Sequence, residues 1–150
     1  MRDGDLVEDF ELLDQFGVPR RLSTLLESGP VVLFFYPLAN SRGCTAESCH
    51  FRDLAAEFGA LHAQRVGISA DEVSAQHRFS ESHGFDYPLL SDPQGVIAER
   101  FGVRRRFGPL PVKRQTFVIG TDGRVVGSVR SEVSMRHHAD QALVILRGLR

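Results

Sequence analysis

Cys44 and Cys49 are the only two cysteines of the chain, and they stand five positions apart in the stretch SRGCTAESCHFRD, residues 41–53. A thiol does chemistry as its thiolate, which attacks electrophiles, exchanges with disulfides and binds soft metals. Downstream, Phe51, Leu54, Ala55, Phe58 and Leu61 recur at helical spacing, so the pair falls on the opening of a helix predicted to run to about Ala63. At 100° per residue Cys44 shares the side of that apolar stripe, whereas Cys49 points about 140° away from it. Cα atoms five apart on an ideal helix are about 8.6 Å apart, beyond the roughly 7 Å limit for a disulfide. Either the two sulfurs never bond, or they bond only after the first turns unwind.

Several neighbours favour a reactive Cys44. A helix N-terminus presents unpaired N–H groups and about half a positive charge, which favour an ionised sulfur. Gly43 allows close approach of backbone or substrate. Upstream, VVLFFY (31–36) is continuously apolar, the pattern of a strand covered on both faces, and Pro37 ends it. The loop PLANSRGC then delivers Ser41 and Cys44 to the end of the sheet, where open α/β folds place their sites.

The other elements follow from the same patterns. DFELLDQFGVPRRL reads as an N-terminal extended segment or hairpin, followed by a short helix from Ser23. RVGISA (65–70) is a strand, DEVSAQHRFSESHG a helix with an acidic first turn closing at Gly84, and DYPLLSD a short strand. PQGVIAERFG is a short helix, RQTFVIGTDGRVVGSVR a hairpin turning at Asp122-Gly123, and the tail from Ser134 to Arg150 a closing helix with Ala139, Leu143, Ile145 and Leu146. Such an order predicts an α/β chain with a central mixed sheet flanked by helices.

At 150 residues the chain fits one domain, 1–150, able to bury a core without staples. Apolar residues make up 42%, charged residues 25%, and the net charge of −1 argues against nucleic acid as a partner. The acidic start MRDGDLVEDFELLDQ lacks the layout of a secretion signal, and no apolar run approaches the ~20 residues a membrane span requires. The expectation is a cytoplasmic protein. In that reducing compartment paired cysteines lean toward catalysis, redox sensing or metal binding rather than stapling.

FYPLANSRGCTAESCHFRD resembles the active-site segment of peroxiredoxins, and within them the Q-type or bacterioferritin-comigratory-protein subfamily, with its P-x-x-x-T/S-x-x-C pattern and second cysteine five residues on. Pro37, Ser41, Cys44 and Cys49 match those positions. KRQTFVIGTDGRV (113–125) resembles the family's R-x-T-F strand and turn, which points to Arg114 as the active-site arginine. YPLLSDPQGVIAERFGV is similar to the family's intervening segment, so the likeness spans nearly the whole chain. The resemblance implies a thioredoxin-like fold, which the element order suits. It also implies a thiol peroxidase acting on hydrogen peroxide and organic hydroperoxides without cofactor or metal.

In that scheme Cys44 is the peroxidatic cysteine, oxidised to a sulfenic acid, and Cys49 resolves it to an intramolecular disulfide once the helix unwinds. Ser41 supplies a hydroxyl to the peroxide, Arg114 holds the thiolate and the developing charge, and Pro37 walls the site. A thioredoxin-like reductant resets the pair, and the protein works as a monomer or weak homodimer. Two departures stand out. Ser41 replaces the commoner Thr, keeping the hydroxyl. Arg42 replaces a common Pro, removing a fixed φ and adding a cation near the thiol.

Blander readings exist for each residue. The cysteines could be small core hydrophobes, Ser41 an ordinary helix cap, Pro37 a strand terminator and Arg114 a surface strand residue. Only their combined register speaks for a site. Arg104–Arg106 reads as a solvated loop, His50 as a helix-face residue, and the six histidines follow no metal-binding spacing. A non-enzymatic redox sensor built on the same pair is the rival from another class. A disulfide reductase is disfavoured, because such enzymes use C-x-x-C.

Overall fold

The computed structural model describes residues 1–149; Arg150, the end of the expected closing helix, lies outside the described residues. Its elements are β1 (Glu11–Leu13), β2 (Pro19–Arg21), α1 (Leu22–Leu26), β3 (Val31–Phe35), α2 (Arg42–Asp53), α3 (Ala55–Ala60), β4 (Gln64–Ser69), α4 (Val73–His83), β5 (Leu89–Ser91), α5 (Val96–Arg100), β6 (Gln115–Ile119), β7 (Val125–Arg130) and α6 (Met135–Arg147). Five strands form one sheet in the order β5-β4-β3-β6-β7. The β3–β4 and β4–β5 pairs are parallel and the β3–β6 and β6–β7 pairs antiparallel, so the sheet is mixed, as expected. Of the extended segment or hairpin expected at the N-terminus, β1 and β2 make the hairpin, turning at Gly17 with φ 75°, and they form a two-stranded sheet of their own.

β3 lies at the centre, and all five of its residues are buried. Successive side chains of a strand point to opposite faces. Val31, Leu33 and Phe35 therefore enter one core with Leu22, Ile97, Ala98 and the N-terminal Val7 and Phe10. Val32, Phe34 and Tyr36 enter the other, with Cys44, Phe51, Phe58, Phe79, Ala139 and Leu143. α2, α3, α4 and α6 thus cover one face, and α1 and α5 the other. Gly67 of β4 makes room for the second core. A Cβ there would sit 2.8 Å from Leu89 and 3.1 Å from the Phe34 and Tyr36 rings. The space goes to aromatic packing, including Phe34 stacked on Phe51 with centroids 4.1 Å apart.

The helix expected to begin at or just before Cys44 begins at Arg42, and it is broken at Leu54, whose φ −96° and ψ 22° lie outside the helical region. The cause sits in β4. The Arg65 guanidinium donates to the carbonyls of Phe51 (3.0 Å) and Arg52 (3.4 Å), oxygens that an unbroken helix turns toward amides four residues on. The acidic first turn expected for α4 is also corrected. Glu72 is its N-cap residue, and no acid lies in the turn itself. Gly84 ends α4 in the left-handed conformation, as expected.

Candidate active site

Ser41 is the N-cap residue of α2, and Cys44, two residues past the first helical residue Arg42, has no exposed surface. The Ser41 hydroxyl does not cap the helix. It donates to the Leu38 carbonyl at 2.7 Å, so no side chain occupies the amides of the first turn, nor does any acid lie there. That leaves the positive end of the helix dipole to the thiol. Pro37 is buried just past the end of β3, and the loop after it is fastened by Asp71, whose carboxylate accepts from the Ala39 amide (2.8 Å) and the Ser69 hydroxyl (2.7 Å).

Arg114 immediately precedes β6. Because β6 runs antiparallel to β3, with Gln115 opposite Phe35, Arg114 arrives at the end of the sheet from which the thiol loop departs. Its side chain is almost fully buried. Nη2 donates to the Cys44 sulfur at 3.2 Å and Nη1 to Glu47 Oε1 at 2.6 Å, while Nε is buried without a partner. A guanidinium in that position interacts more strongly with a thiolate than with a thiol. Burial opposes the charge of Arg114, but Glu47 and Cys44 outweigh it and hold its pKa above the ordinary value. Gly43 permits this approach. A Cβ there would meet Arg114 Nη2 at 3.3 Å and Met135 Sδ at 3.4 Å.

Cys49 is half-buried, packs partly against the second core and forms no disulfide with Cys44. Burial pushes its thiol up from the ordinary value, and Arg52 opposes this only in part. The helix segment between and beyond the cysteines is moored on all sides. Tyr87 donates to the Ser48 carbonyl (2.7 Å), Arg52 to the His83 carbonyl (2.7 Å), and His50 pairs with Asp140 of α6 (2.8 Å). His50 is therefore a bridge between helices rather than a bare face residue.

Sequence reasoning missed four residues of this site. Glu47, three positions after Cys44 on the same flank of α2, is fully buried, and burial raises its carboxyl to about 8 despite the Arg114 charge. His138 of α6 is fully buried beside it, and Thr116 of β6 contacts the His138 ring. Glu132 accepts from the Arg114 backbone amide (3.1 Å) and from Arg105 (2.9 Å). This corrects the view of 104–106 as merely solvated, since Arg105 is tied to the base of Arg114. The i to i+3 spacing from Cys44 was the available signal for Glu47. His138 carried none. Among the described residues no group of three or more metal-binding side chains occurs. No described helix is long and apolar enough to cross a membrane.

Comparison with known proteins gives the class: residues 4–128 match the AhpC/TSA family model, and the chain belongs to that family, the peroxiredoxins, which are thiol-dependent peroxidases. A crystal structure of the Mycobacterium tuberculosis peroxidoxin BcpB superposes with a TM-score of 0.96 at 60% identity, covering 100% of this chain and 99% of that one. Peroxiredoxin Bcp of Bacillus subtilis is 33% identical over 151 residues, 97% of this chain and 95% of that protein. The bacterioferritin comigratory protein of Xanthomonas campestris, whose structure was determined for its alkyl peroxide reduction activity, is 30% identical with a TM-score of 0.86 over 97% of this chain and 99% of that one.

Proposed function

We propose that Cys44 is the peroxidatic cysteine, Cys49 the resolving cysteine, and hydrogen peroxide and organic hydroperoxides the substrates. The observation that supports this best is the Arg114 guanidinium on the Cys44 sulfur at 3.2 Å, brought together from opposite halves of the sequence. The alkyl peroxide reduction named for the Xanthomonas relative supports the substrate class. The Cys44 thiolate attacks the terminal peroxide oxygen. An S–O bond forms, the O–O bond breaks, and the leaving oxygen takes a proton to become water or an alcohol. Arg114 answers the charge that develops on the oxygens. The Ser41 hydroxyl and buried Pro37 shape the approach.

The sulfenic acid then meets the Cys49 thiol. An S–S bond forms and water leaves, after the first turns of α2 have unwound. Both sulfurs belong to one chain, so a monomer suffices. A thioredoxin-like dithiol takes up the disulfide and restores both thiols.

Steady-state kinetics with several peroxides and a thioredoxin system test this reading. Multiple turnovers are expected, lost in Cys44→Ser, with Cys49→Ser still oxidised once but not recycled by thioredoxin. Non-reducing peptide mapping is expected to show a Cys44–Cys49 link within one chain. A single stoichiometric oxidation without recycling would instead mark a sensor.

A further inference from the structure

The thiol site extends past Arg114 into α6. Glu47 Oε1 receives Arg114, but Oε2 is buried with no hydrogen-bond partner and lies 3.6 Å from His138 Nδ1. The His138 ring is itself fully buried, with Nε2 2.7 Å from the Ser131 carbonyl and Nδ1 2.9 Å from the Thr116 hydroxyl. A carbonyl oxygen only accepts, so Nε2 bears the proton and Nδ1 of the neutral ring is an acceptor. An ionised Glu47 would therefore aim a lone pair at a lone pair. A proton on Oε2 removes that conflict.

We propose that Glu47 is held as a neutral acid with its proton on Oε2 directed at His138 Nδ1, and that His138 is thereby a positioning residue of the thiol site. Thr116 shares the acceptor nitrogen and needs only to rotate its hydroxyl as Oε2 closes in. The carbonyl oxygen of a neutral Glu47 still receives Arg114, so the guanidinium keeps its orientation while its charge is left to the Cys44 sulfur. The direction of the two titrations agrees: burial raises Glu47 to about 8 and pushes His138 below its ordinary value.

The groups facing this pair are Cys44 from α2, Arg114 and Thr116 from the start of β6, Glu132 from the segment after β7, His137 beside His138 on α6, and Tyr87 ahead of β5. None supplies a second cation to Oε2. As pH rises through about 8, Glu47 ionises and draws the Arg114 charge away from the sulfur. Oxidation of Cys44 then slows.

This inference rests on the peroxidatic reading of Cys44, and its test separates the two. The rate of Cys44 oxidation by hydrogen peroxide is measured against pH for the wild type, Glu47→Gln and Glu47→Ala. Side-chain carboxyl and imidazole NMR is recorded on the wild type across the same range. The wild-type rate is expected to decline above about pH 8. Glu47→Ala is expected to be roughly tenfold slower at neutral pH, the loss of a buried hydrogen bond to a charged group. Glu47→Gln, whose amide copies the neutral acid toward both Arg114 and His138, is expected to regain most of that loss and to lack the alkaline decline.

In the NMR, a Glu47 carboxyl that stays protonated at pH 7 beside an unprotonated His138 Nδ1 supports the proposal. A carboxylate at pH 7, an imidazolium, or a Glu47→Gln as slow as Glu47→Ala overturns it. If the wild type turns over peroxide through Cys44 and these signatures are absent, this inference alone fails. If Cys44 does not react, the peroxidatic reading fails with it.

Discussion

Gly43 is a point of close approach in the thiol site. A Cβ there would lie 3.3 Å from Arg114 Nη2 and 3.4 Å from Met135 Sδ, so the guanidinium must give by a few tenths of an ångström. Gly43→Ala is therefore expected to slow Cys44 oxidation by roughly tenfold, less than the 10²–10³ typical for removing a donor outright. Competition kinetics against a reporter peroxidase would measure it, and an unchanged rate would mean the Arg114 contact contributes little. Much at this scale was legible in the sequence. Two cysteines at a helix start announce themselves, and the Pro37–Ser41–Cys44–Arg114 register came through the family resemblance. Glu47 and His138 did not, because a glutamate and a histidine on helices ordinarily face solvent. Only the sheet and α6 closing over them turn them inward. The Ser41 partner was likewise hidden, since a hydroxyl chooses between a helix amide and the Leu38 carbonyl by rotamer.

For α2 as an element, the proposed disulfide sets these moorings against the unwinding it requires. The buried Tyr87–Ser48 contact at 2.7 Å is a mooring between the two cysteines, one helical turn past Cys44. Tyr87→Phe removes it, which costs about 1 kcal/mol of folded helix and shifts the folded-to-unwound ratio about fivefold. Disulfide formation after the sulfenic acid is then expected to speed up, and overoxidation at high peroxide to fall. Rapid quenching with thiol alkylation and mass spectrometry reads both, which suits a chain with no Trp. Slower disulfide formation would count against helix opening as the limiting step. The helical period of α2 and its apolar stripe could be read from the sequence. The break at Leu54 could not, because the guanidinium that takes the last carbonyls comes from Arg65, on a strand beyond it.

Across the whole molecule, the two cores on either side of β3 explain why the fold was readable: continuous apolar residues in VVLFFY feed both faces in alternation. The mixed character followed from a βαβ pattern succeeded by a hairpin. The order of strands and the covering of each face depend on pairings distant in sequence. Burial of titratable groups beneath those faces makes stability depend on pH. Glu47 is raised in the folded state, so the native protein retains a proton the unfolded chain loses, and stability falls as pH rises toward about 8. His138 is lowered, so its contribution is lost as pH falls below the ordinary histidine value of 6.5. Urea titrations between pH 6.5 and pH 8 should therefore show the midpoint decreasing with pH. In Glu47→Gln the same interval should be flat. A persisting slope in that variant would assign the effect to another group.

The Asp71 carboxylate that grips the Ala39 amide has a consequence for the path of the oxidised sulfur. When the first turns of α2 melt, the chain stays pegged at Ala39, five residues before Cys44, and on the far side Arg52 remains hooked to His83, three residues past Cys49. The freed segment is a short leash of at most ~18 Å from its peg to the Cys44 Cα. A sulfenic acid and a thiol confined in that way encounter one another at millimolar effective concentration or above. In the proposed cycle the pace of resolution is then set by how often the leash is let out, not by how long the sulfurs take to find each other.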